Sequence, residues 1–163
     1  MSADGTRVAI GSPQGDIDNG DTSGHTRVFE LKDGDWVKLG SNIDGDVPFD
    51  RFGWSVSLSA DGTRVAIGSP QGDIDNGDTS GYTRVFELKD GEWVKLGSNI
   101  DGESSGDFSG ISVSISADGT RVAIGSTQGD NDNGDTSGHT RVFELKDGDW
   151  AKIGSNKKKK PQN

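Results

Sequence analysis

The chain has 163 residues, enough for one ordinary domain, but only 28% are hydrophobic, 26 are glycine and none is cysteine. That composition excludes a disulfide framework and a thiolate metal site. The net charge is −10, or −14 with the four lysines at 157–160 set aside, so the body repels nucleic acid and anionic membrane and attracts cations.

One stretch organises the rest. Ser59 to Gly102 reproduces Ser2 to Gly45 with two changes, His25 for Tyr82 and Asp35 for Glu92, and most of it returns from Ser116 to Asn156. Ser2, Ser59 and Ser116 lie 57 residues apart, and a fixed period of this size marks a repeat architecture in which each unit covers its neighbour.

The first copy begins at Met1, where Leu58 and Ile115 stand in the others, so its innermost strand is missing. The second copy shows the whole unit. Trp54 to Leu58 alternates, placing Trp54, Val56 and Leu58 on one face and Ser55 and Ser57 on the other. Asp61-Gly62 turns the chain, Arg64 to Ile67 forms a second strand, and Gly68-Ser69-Pro70 ends it. After a polar stretch from Gln71 to Gly81, Thr83 to Leu88 is a third strand with Phe86 and Leu88 opposite Val85. Asp90-Gly91 turns again, and Glu92 to Leu96 is a fourth strand ended by Gly97. No 3.6-residue apolar stripe occurs, so no helix is predicted.

Four-stranded antiparallel meanders in tandem describe an all-β fold made of β-propeller blades. The predicted bounds are residues 1–47 for blade 1, 48–104 for blade 2, 105–156 for blade 3, and 157–163 for a basic, solvated tail. About eleven strands, or about 2.75 blades, fall short of the roughly four to eight that close a ring. The expectation is therefore a segment of a larger propeller, the alternative being copies that associate to finish one, and open blade faces invite self-association.

Asp50-Arg-Phe-Gly-Trp-Ser-Val-Ser-Leu58, followed by Val65-Ala-Ile-Gly-Ser-Pro70, resembles the FG-GAP repeat of integrin α-subunit β-propellers. Phe52-Gly53 matches the FG element, and Gly68-Ser69-Pro70 stands where that family has Gly-Ala-Pro. The resemblance implies a seven-bladed extracellular or cell-surface propeller, with cation sites and ligand-binding loops on one face. The third copy departs from it, with Phe108-Ser109-Gly110 and Gly125-Ser126-Thr127. The family's calcium loop between the first two strands is here a bare Asp-Gly turn, so calcium does not carry over at those positions.

An acidic loop occurs one hairpin later. It supplies Asp16, Asp18 and Asp21, then Asp73, Asp75 and Asp78, then Asp130, Asp132 and Asp135. Alternating carboxylates around a glycine turn can converge on Ca²⁺, which takes about six to eight oxygens. No downstream Glu completes the set, so the expected affinity is weak, about 10⁻⁴ to 10⁻³ M. The alternative is that these Asx residues only shape a polar turn.

Trp36, Trp93 and Trp150 fit packing between blades, or stacking on sugar rings in a lectin-like alternative. His25 and His139 share a repeat position with Tyr82, which argues against catalysis or metal binding there. Arg7, Arg64 and Arg121 are expected to pair with local carboxylates. Every candidate group recurs in near-identical copies, so no enzyme is expected. The expected partners are a protein or glycan ligand, with neither nucleic acid nor membrane insertion.

Overall fold

A computed structural model describes residues 1–15, 22–72, 79–128 and 137–157, omitting the side chains of residues 156 and 157. Among these residues every regular element is a strand, arranged as three antiparallel sheets.

The first sheet contains β1 (Arg7–Ser12), β2 (His25–Lys32), β3 (Asp35–Lys38) and the two-residue β4 (Ile43–Asp44). The second runs β5 (Ser55–Leu58), β6 (Arg64–Ser69), β7 (Tyr82–Lys89), β8 (Glu92–Lys95), with β9 (Ile100–Asp101) returning to pair with β7. The third comprises β10 (Ser112–Ile115), β11 (Arg121–Ser126), β12 (His139–Lys146) and β13 (Asp149–Lys157). Equivalent strands keep one register: Ala9 faces Val28, Ala66 faces Val85, and Ala123 faces Val142. The chain is thus a run of incomplete-propeller blades, the first lacking its inner strand.

Alternation along each strand sends apolar side chains to both faces, because a middle blade is covered twice. Phe86 and Leu88 join Leu58, Val65 and Trp93 against the first sheet. Val85, Ala66 and Ile100 turn the other way, onto Val122, Ile124 and Phe143 of the third. Small serines bring the inner strands together at the centre. Ser55 Oγ donates to the Gly110 carbonyl at 2.8 Å, and the Ile115 amide donates to Ser57 Oγ at 3.1 Å.

Two expectations need correction. The fourth strand does not run unbroken to Leu96. It stops at Lys95, and β9 resumes at Ile100 after Gly97 takes a positive φ of 75°. That kink makes room for the next blade: a Cβ on Gly97 would stand 2.8 Å from Trp150 Cδ1. Trp54 does not share the buried face of Val56 and Leu58. Gly53, at φ 90°, turns the chain just before β5, and Trp54 stays 44% exposed.

The two Asp-Gly turns of each repeat also differ. Asp90 and Gly91 both have positive φ, as a two-residue hairpin between right-twisted strands requires. Asp61-Gly62 belongs to a longer loop, where Asp61 Oδ1 accepts from the Thr63 amide, the Thr63 hydroxyl and the Ser59 hydroxyl.

Candidate recognition rim

The strand register separates two rims. At one end lie the Asp-Gly turns and the pairs Arg7–Glu30, Arg64–Glu87 and Arg121–Glu144, each bridged at 2.7–2.9 Å. These are the local carboxylate partners expected for the three arginines. At the other end, Ser12 faces His25, Ser69 faces Tyr82 and Ser126 faces His139. The acidic loops leave from this second end in every blade. Asp16, Asp18, Asp21, Asp73, Asp75, Asp78, Asp130, Asp132 and Asp135 themselves lie outside the described residues. Among the described residues, no three His, Cys, Asp or Glu side chains gather as a metal site would require.

The same rim carries the connections between blades. The chain leaving the first sheet crosses Asp50-Arg51-Phe52-Gly53 before entering β5. Phe52 is fully buried, its amide donating to the Ser23 carbonyl at 2.9 Å and its ring lying edge-on to Phe86. Gly53 presses so closely on the first blade that a Cβ on Gly11 would fall 2.0 Å from its carbonyl oxygen. Asp50 is buried beside it, and its Oδ2 accepts from the Tyr82 hydroxyl at 2.9 Å. Burial pushes the Tyr82 phenol well above its ordinary range.

In the following connection Ser109 takes the place of Phe52, one residue after Phe108. The Arg141 guanidinium, itself 4% exposed, donates to Ser109 Oγ at 2.9 Å. The shifted phenylalanine of the third copy thus costs the seam an aromatic ring, and a buried hydrogen bond from arginine stands in its place.

Where the connections surface, hollows open along the rim, and two of them adjoin. One of about 220 Å³ is lined by Trp54, Pro70, Gln71, Phe108, Ile111 and Thr127. The other, about 450 Å³, lies over Pro13, Gln14, Thr22, Phe49, Arg51 and Gln71, so Gln71 belongs to both. Phe49 stands 73% exposed, and the Arg51 guanidinium lies 5.6 Å from the centre of the Trp54 ring. Exposed aromatics and arginine are the side-chain types enriched where protein interfaces bind most tightly. Sequence reasoning missed Phe49 and Trp54. The signal available was that both flank the buried Phe52-Gly53 pair within a turn.

The three tryptophans of the repeat do a different job. Trp93 is buried, and its Nε1 donates to the Leu39 carbonyl of the preceding blade at 2.8 Å. Trp150 Nε1 donates to the Leu96 carbonyl at the same distance. Trp36, on the first of the three sheets, is 47% exposed. His25 and His139, at the position of Tyr82, are held below the ordinary histidine value, first by burial and then by Arg27 or Arg141 nearby.

These connections match a known pattern. A family model described as FG-GAP repeat matches residues 43–86, from β4 through the Phe52-Gly53 crossing into β7. Residues 43–86 carry an FG-GAP repeat. The 57-residue period extends much of that repeat's sequence across the chain. No curated protein matches the sequence. Among solved structures, the chain is similar to a Bacteroides uniformis protein provisionally named a 6-phosphogluconolactonase, with a TM-score of 0.55 and 20% identity. The match covers 94% of this chain but only 37% of that one, so the chain spans little more than a third of that protein's length. At this identity the likeness concerns the fold alone, and it agrees with the FG-GAP match in making this a β-propeller segment.

Proposed function

We propose that this FG-GAP segment is a non-enzymatic recognition module that works outside the cell or on its surface, binding a protein or glycan ligand along the rim of the inter-blade connections. The observation carrying the proposal is the pair of hollows sharing Gln71, edged by the exposed Phe49 and Trp54. Aromatic side chains at such a position cost burial energy and give the fold little in return, which suits binding. The triplicated acidic loops leave from the same rim, and their proposed role is to stiffen it by holding Ca²⁺ weakly.

The non-enzymatic reading rests on redundancy: the candidate groups read from the sequence recur from blade to blade. The lectin alternative based on Trp36, Trp93 and Trp150 is less favoured, because two of those indoles are engaged between blades.

Binding of the purified chain to glycan arrays and to an array of extracellular-matrix proteins tests the recognition role. Phe49→Ala and Trp54→Ala are expected to lower binding at least tenfold with melting unchanged. A ligand bound equally well by both variants would remove the rim. Calorimetric melting with Ca²⁺ and with excess chelator tests the ion, and superimposable curves would remove calcium.

A further inference from the structure

Every blade has a head, facing the blade before it, and a tail, facing the blade after it. In blade 2 the head presents Leu58, Val65, Ile67, Phe86 and Trp93, all packed on blade 1. The same positions in blade 1 are Met1, Val8, Ile10, Phe29 and Trp36, and they line an open, largely apolar hollow of about 450 Å³. Met1 is 69% exposed, Ile10 52% and Trp36 47%.

The tail of blade 3 supplies the matching seat, with Lys157 at the sequence position that Ile43 and Ile100 hold in the internal seams. Leu39-Gly40 receives Trp93, and Leu96-Gly97 receives Trp150, so Ile153-Gly154 is the third such seat. A Cβ on Gly40 would stand 2.7 Å from the incoming indole, whereas a Cβ on Gly154 would meet nothing within 4 Å.

We propose that copies of this chain associate head to tail, with the Trp36 indole of one copy seated on Ile153-Gly154 of the preceding copy. The argument is continuity with the two seams already inside the chain. Their polar contacts repeat as faithfully as their apolar ones. The Ala3 amide donates to the Ala60 carbonyl at 2.8 Å, and the Ala60 amide to the Ala117 carbonyl at 2.9 Å. The next step in this series is the Ala117 amide donating to Ala3 of a second copy. Arg64 reaches the Gly119 carbonyl at 3.1 Å, and Arg121, with a side chain 59% exposed, stands ready for Gly5 of that copy. Asp149 accepts from the Ser98 amide at 2.8 Å, and Asp35 stands ready for Ser155 of the preceding copy.

Head and tail are different surfaces, so the contact is heterologous, and copies add in a row unless the rotation closes a ring. The contact joins separate molecules, so it depends on concentration.

Sedimentation velocity across the micromolar range tests the inference with two blocking variants. Trp36→Ala removes the knob at a half-exposed site. Gly154→Asn blocks the seat while tolerating the positive φ of 71° there. The wild-type chain is expected to exceed its monomer mass of 17.1 kDa as concentration rises, and each variant alone to stay monomeric. An equimolar mixture of the two is expected to give a dimer and nothing larger, because one good head meets one good tail. Circular dichroism melting keeps misfolding apart from lost association. A wild-type chain that is monomeric throughout would overturn the inference. So would association of Gly154→Asn on its own, since with its seat blocked that marks head-to-head pairing.

Discussion

Trp93 Nε1 donates to the main-chain carbonyl of Leu39, 54 residues earlier and one blade away, at 2.8 Å. The bond fixes the angle between neighbouring sheets, because it ties the outermost hairpin of one blade to the kink in the edge of the previous one. Trp150 repeats it on Leu96. A large apolar ring with one polar handle suits this job: the ring fills the wedge and the N–H pairs a carbonyl that the kink has removed from the ladder.

Trp93→Ala is therefore expected to cost about 3–5 kcal/mol, the range for truncating a buried aromatic. Trp93→Phe keeps much of the ring and loses only the donor, for about 1–3 kcal/mol including the carbonyl left unpaired. Trp36→Ala serves as the control, since a residue 47% exposed on the open head has little to lose at monomer concentrations. Urea unfolding of the three variants ranks them. Equal losses at Trp93 and Trp36 would show that the indole matters to its own sheet and not to the seam.

Gly68 and Gly125 occupy one repeat position in different surroundings, and they should respond differently to the same methyl group. A Cβ on Gly68 would lie 2.0 Å from the Gly110 carbonyl oxygen, part of a backbone crossing that cannot move aside. On Gly125 the nearest atom is the Ser112 hydroxyl, at 2.3 Å, which can rotate away. Gly68→Ala is expected to destabilise by at least about 1–3 kcal/mol, and Gly125→Ala by less than half as much. Thermal melting of the pair decides. Similar melting shifts would mean that the crossing at Gly110 does not clamp the blades.

Much of this architecture could be read from the sequence, for a physical reason. A middle blade is covered on both faces, so Val85 and Phe86 both had to be apolar, and the period of two between turns gave their opposite directions. The three arginines paired as expected because Arg64 and Glu87 sit directly across a ladder. The exposure of Trp54 could not be read this way: alternation assigns a face, but a positive φ at Gly53 shifts where the strand begins. Nor could the break between β8 and β9, which answers to a tryptophan 54 residues further on. The rim hollows stayed hidden for the same reason, since Phe49 and Trp54 look like core residues until the connection is folded.

Acid should lower the stability of the protein over two separate pH windows, and the loss in the first can be reduced by substitution. His25 and His139 have folded pKa values below the ordinary 6.5, chiefly through burial. A lowered folded value means that the unfolded chain takes up the proton first. Their contribution is therefore complete above 6.5 and is lost as pH falls through the folded value. Asp4 and Asp118 act further down, because turn hydrogen bonds hold both carboxyls at about 2, led by the Thr6 amide for Asp4 and the Ser116 hydroxyl for Asp118. Their contribution is present above the ordinary 3.8 and disappears towards pH 2. Tyr82 shows what the histidine position accepts when it does not titrate in this range: a phenol donating to the buried carboxylate of Asp50. Asp107 stands at the equivalent place beside His139 and is equally buried, so His139→Tyr provides the same pairing in blade 3. Denaturant unfolding at pH 7.5 and 5.5 should show the wild-type chain losing stability over that interval and the variant losing less, with both still failing below pH 4. An unchanged loss in His139→Tyr would place the weakly acidic step elsewhere.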